Sequence, residues 1–135
     1  MDAEHIVGRY TWKPEDCLGY GAEGTLVPPF KMIEMAAQIG SVAWCIYHMS
    51  LSASDEEMRG LVGVFTQLER AEFLSPVSAG ETIACFGEFG SAGYFRGNKL
   101  VSEVQAQVRG GPDDGREVFS GVISGMFVPK RQGEL

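Results

Sequence analysis

The sequence predicts an α+β fold in which one long buried helix is wrapped by a curved antiparallel sheet. Three observations carry that expectation. Phe30 to Met49 holds strong helix formers and no proline, and between Lys31 and Asp55 the only charged residue is Glu34. A helix this apolar is normally buried in the middle of a domain. After residue 60 the apolar residues switch to period two and stay there, as strands require. Eighteen glycines among 135 residues point to many turns or close backbone approaches, which suits a β-rich fold.

Each element follows from its own residues. His5 to Lys13 alternates and carries Ile6, Val7, Tyr10, Thr11 and Trp12, which predicts a strand. Pro14 to Pro29 collects prolines, Asp16 and three glycines, so it reads as a loop. Pro28 and Pro29 suit the approach to a helix and its first turn, where an amide would go unpaired anyway. Ser50 to Arg59 is a polar connection. Leu61–Phe73, Glu81–Phe89, Lys99–Arg109 and Glu117–Val128 read as four strands. The connections are PVSAG, GSAGYFRGN and GGPDDGR, the last a hairpin signal because Gly and Asp tolerate positive φ. The length fits a single domain over residues 1–135.

Composition excludes several function classes. Eleven Lys+Arg against 18 Asp+Glu give a net charge of −7, which argues against nucleic acid as a partner. No apolar run reaches the roughly 20 residues that span a bilayer, and no secretory signal is visible. Cys17, Cys45 and Cys85 form no CxxC pair, and His5 and His48 lie far apart, so neither a disulfide framework nor a metal site is expected. A cytoplasmic setting and no cofactor are the simplest expectations.

Glu34 is the sharpest candidate for chemistry, because an unpaired charge in an apolar helix is costly without a purpose. It would act as a general base on water or a substrate proton. The competing reading is a helix-start carboxylate favoured by the macrodipole. Gln38 lies at i+4 on the same helix face, placed to orient the carboxylate, bind a substrate carbonyl or make a structural hydrogen bond.

The stretch VPPFKMIEMAAQ, with Pro28, Pro29, Glu34, Ala37 and Gln38, and the block FLSPVSAGETIACFGEF resemble the hot-dog fold. More narrowly, they resemble β-hydroxyacyl-acyl-carrier-protein dehydratases of the FabA/FabZ type, over about Tyr10 to Val128. The resemblance implies acid–base catalysis at a dimer interface, with a histidine of one subunit facing the helix acid of the other. Its mapping puts Tyr20 at the histidine's place, fourteen residues before Glu34. A phenol, with a reference pKa near ~10, is a poor base at neutral pH but still a donor. Pro29 stands where the family has a glycine whose amide holds the thioester carbonyl, and the amide of Phe30 is the replacement at hand. Around Gly93, Tyr94, Phe95 and Arg96, glycines would let an acyl-pantetheine chain approach the backbone, and Arg96 would meet a carrier phosphate. Sheet turns and plain surface charge are the competing readings.

The resulting expectation is a hot-dog protein for an acyl thioester, carried by acyl carrier protein or coenzyme A, and most similar to 3-hydroxyacyl dehydratases. Two alternatives stand beside it. One is a thioesterase in which Glu34 activates water. The other is a non-catalytic acyl-binding subunit or heterodimer partner. A homodimer or higher oligomer is implied.

Overall fold

A computed structural model describes residues 4–130. Strand β1 (His5–Thr11) is followed by a 3-10 turn (Pro14–Cys17) and then by the central helix. That helix has three parts: α1 (Pro29–Ala37), a π-helical stretch (Gln38–Ala43) and α2 (Trp44–Ser50). A short helix, α3 (Asp55–Arg59), leads into β2 (Leu61–Phe73), β3 (Thr82–Glu88), β4 (Tyr94–Arg96), β5 (Lys99–Arg109) and β6 (Glu117–Pro129). All pairings are antiparallel, in the order β1-β3-β5-β6-β2, with β4 folded onto β5. Two register shifts in β2, at Phe65/Gln67 and Leu68/Arg70, are the sites where a bulge bends a strand.

Four sequence expectations need correction. The first strand ends at Thr11, since Pro14 opens the 3-10 turn. The polar connection contains α3, which Ser54 caps by accepting from the Glu57 amide while Glu57 reaches back to Ser54. The GSAGYFRGN connection contains β4, whose Tyr94 pairs with Val101. The fourth concerns the helix, which is not buried all round in the single chain. Phe30, Glu34, Gln38 and Ile46 form an open stripe at spacings of four and eight residues.

The helix crosses the sheet at a narrow waist. Gly87 of β3 faces Gly40 so closely that a Cβ on Gly87 would sit 3.1 Å from the Gly40 carbonyl oxygen. A Cβ on Gly125 of β6 would sit 2.5 Å from Ser41 Oγ. Only glycine permits this approach. At the same waist the buried Ser102 hydroxyl donates to the Gly40 carbonyl at 2.6 Å, where the helical ladder is widened to the π register. The core divides on either side. Met32, Met35, Ala36 and Ala37 meet Ile83, Val118 and Phe119, while Trp44 and Cys45 meet Ile6, Leu100 and Phe127. The three cysteines are free and buried. Burial pushes the Cys45 thiol up to about 11 and the Cys85 thiol up to about 12, so both stay protonated and inert.

Candidate functional site

The site is built on the first turns of α1. Pro28 is extended (φ −62°, ψ 142°) and Pro29 takes the first helical position. The amides of Lys31 and Met32 both donate to the Pro28 carbonyl, at 3.0 and 3.4 Å. The Phe30 amide has no acceptor among the described residues, so it is the free donor at the positive end of the helix. The preceding loop is tied down by the Val27 amide on the Val77 carbonyl, 2.8 Å, and by the Leu26–Ser78 bridge.

Glu34 and Gln38 come together. Both are exposed, and both line an open cleft of about 450 Å³ between α1 and β1. Arg9, Tyr10, Asp16 and Lys31 line it too. The expectation that Glu34 is a buried charge is therefore corrected, because position 34 falls on the open stripe. Phe30 and Glu34 are one helical turn apart, roughly 6 Å along the axis and on the same face. The Tyr10 hydroxyl donates to Asp16 at 2.7 Å, and the Lys13 amide donates to the same carboxylate oxygen at 2.9 Å. The Tyr10 bond, then the amide bond, holds the Asp16 carboxyl below its ordinary value; the same bond to Asp16, then desolvation, raises the Tyr10 phenol.

Tyr20 and Pro29 lie elsewhere. They line a second cleft of about 390 Å³ on the β2 side of the helix, with Leu26, Met32, Phe73 and Val77. Within one chain, Tyr20 and Glu34 thus occupy different clefts. Gly93, Tyr94, Phe95 and Arg96 are at the other end of the molecule. Phe95 stacks on His48 at 5.0 Å between ring centres, and the Arg96 guanidinium lies 5.7 Å over the Tyr94 ring. His48 is fourteen residues beyond Glu34, roughly 21 Å along the helix. His48 also contacts the rings of Trp44, Tyr47 and Phe89, so it belongs to an aromatic cluster.

Sequence reasoning missed Arg9, Tyr10, Asp16 and Lys31. Only one signal was present, the Lys13-x-x-Asp16 spacing that closes the 3-10 turn and turns Asp16 back toward β1. Among the described residues no group of His, Cys, Asp and Glu is placed to hold a metal, and no helix is long and apolar enough to cross a membrane.

The sequence matches no known family profile and no curated protein. Its structure does have solved counterparts. A Thermus thermophilus thioesterase superfamily member aligns with TM-score 0.68 at 14% identity, over 99% of this chain and 88% of that one. The fluoroacetyl-CoA thioesterase FlK aligns with TM-score 0.67 at 14% identity, over 96% and 89%. A hypothetical Streptococcus pneumoniae thioesterase solved with coenzyme A aligns with TM-score 0.63 at 17% identity, over 97% and 84%. A hot-dog-like protein from Thermanaerovibrio acidaminovorans aligns with TM-score 0.66 over 93% of the chain. With its one long helix against an antiparallel sheet in the order β1-β3-β5-β6-β2, the chain has the hot-dog fold.

Proposed function

We propose that this protein hydrolyses an acyl thioester, with coenzyme A or an acyl carrier protein as the leaving thiol. The observation that carries the reading is the free Phe30 amide one turn from the exposed Glu34 carboxylate, with Gln38 beside it in the same cleft. The thioester carbonyl accepts from Phe30 N–H at the helix N-terminus. Glu34 takes a proton from water as the water oxygen bonds to the carbonyl carbon. Negative charge on the former carbonyl oxygen is held by the amide and the helix end. Collapse breaks the C–S bond, and the thiolate recovers the proton from Glu34. Gln38 orients the carboxylate. The structural counterparts that are thioesterases support this choice of chemistry.

The dehydratase reading rests on the VPPFKMIEMAAQ resemblance and needs a second acid–base group. Neither histidine supplies it within the chain, since His5 starts β1 and His48 sits in the aromatic cluster. Tyr20 of a second subunit is the remaining donor, so that reading needs a dimer that joins the two clefts.

The test is thiol release from acyl-CoA substrates, run beside hydration of enoyl-CoA. Glu34→Gln is expected to cut thiol release by roughly a hundredfold to ten-thousandfold, the usual worth of a positioned base. Glu34 is exposed, so the variant keeps its fold. Enoyl-CoA hydration without thiol release would replace this reading by the dehydratase one. Acyl-CoA binding with neither activity would leave an acyl-binding subunit.

A further inference from the structure

The geometry points to an uncharged aliphatic acyl group of medium length as the tail carried by the substrate, held in the cleft on the β2 side of the helix. This rests on the thioester reading and adds to it which acyl group is selected. The two clefts differ in chemistry and share the first turn of α1 as a ridge between them. Lys31 and Glu34 line the polar one, and Pro29 and Met32 line the other. Among the described residues, none that lines the second cleft is charged. Its floor is Met32, Val77 and Val118, all buried, and Phe73 and Leu74 stand half exposed at its rim. Only two side chains there carry a polar group, Tyr20 and Ser75, and the Ser75 hydroxyl already donates to the Glu117 carbonyl at 3.0 Å. A carboxylate-bearing acyl group would lose its hydration there, and the Arg116 guanidinium that reaches the Pro76 carbonyl of its wall is already paired with Glu81 and Asp113.

A thioester whose carbonyl lies at the Phe30 amide has its tail one residue from Pro29, at the edge of this cleft. The volume, about 390 Å³, is near the lower end of ligand cavities, which span ~300–1,000 Å³. That favours a medium chain over a long one. The flexible Met32 thioether lets the floor adapt to the last carbons.

The experiment compares acetyl-, hexanoyl-, octanoyl-, palmitoyl- and malonyl-CoA on the full chain, reading both thiol release and the methyl resonance of Met32 in methyl-labelled protein. That resonance is assigned with Met32→Leu. Each buried methylene is worth about 0.8 kcal/mol, so kcat/KM should rise roughly fourfold per methylene, and at least ~100-fold from acetyl to octanoyl. Palmitoyl-CoA should do no better than octanoyl-CoA, and malonyl-CoA no better than acetyl-CoA. Leu74→Asp, at a half-exposed rim position, should lower the octanoyl-to-acetyl ratio at least about tenfold by placing a charge beside the tail. Equal rates for acetyl- and octanoyl-CoA would overturn the assignment while leaving thioester hydrolysis intact. If no thioester is cleaved, the hydrolytic reading fails and the resonance decides alone. A Met32 shift with octanoyl-CoA and none with acetyl-CoA supports the cleft, and no shift with either overturns it.

Discussion

Tyr10 and Asp16 show how two residues six apart lock the wall of the polar cleft. The bond runs from a neutral phenol to a carboxylate, so its stronger, charge-assisted form holds only while Asp16 is ionised and Tyr10 is not. Asp16 has a folded pKa below its unfolded value, so its contribution is present above the carboxylate range and is lost as pH falls through the folded value. Tyr10 has a folded pKa above its unfolded value, so its contribution holds below about 10 and is lost as pH rises through the raised value. Between those limits the bond should add no pH dependence. Urea unfolding of wild type and Tyr10→Phe across pH checks this. The stability gap between them should be constant near neutrality and narrow at both extremes; a gap of unchanged size in acid would show that the charge on Asp16 adds nothing to the bond. The rest of the polar wall was hard to read in sequence for a related reason. Arg9 and Tyr10 belong to a strand and Lys31 to a helix, and nothing in either local pattern says that one faces the other.

At the scale of elements, the central helix was legible and its irregularity was not. Its apolar run and its start at Pro28–Pro29 are local properties, and the helix begins at Pro29 as the prolines require. The π-helical stretch has no local signature, because Gly40 and Ser41 are unremarkable until Gly87 and Gly125 come up against them. This gives a prediction in which two effects oppose. Helix propensity alone makes Gly40→Ala stabilising by about 1 kcal/mol. The added Cβ, however, would lie 2.5 Å from Val104 Cγ2, a fully buried side chain. Overpacking of this kind costs roughly 1–3 kcal/mol. The clash should win, and Gly40→Ala should lower the denaturation midpoint. Stabilisation instead would mean that Val104 moves aside freely. The β4 pairing escaped notice for a similar reason, since three residues between glycines look like a turn until Val101 lies opposite Tyr94.

At the scale of the whole molecule, the open helix stripe and the outer edge of β2 belong to one question. Among the described residues β2 pairs only with β6, and its outer edge carries the exposed Val62 and Phe65, while Phe30 on the helix is 58% exposed. An unpaired edge of 13 residues with apolar side chains is a template for another strand. The proposed dimer joins two such edges and sets the Tyr20 cleft of one chain against its partner. Light scattering should then give twice the chain mass, and Phe65→Asp should give the single-chain mass. Twice the chain mass in Phe65→Asp would place the dimer seam elsewhere.

The sequence by itself determined the class of fold, the central helix, the four later strands and the pair Glu34–Gln38, because periodicity and i,i+4 spacing are local and survive without any tertiary context. Only the tertiary structure decided that Glu34 is exposed, that Tyr20 and Glu34 lie in separate clefts, and that Gly93 to Arg96 sit at the far end of the helix. Those facts depend on which face of the helix the sheet covers, and the glycine waist settles that by letting residues 40 and 41 approach the strands and leaving 30, 34 and 38 outside.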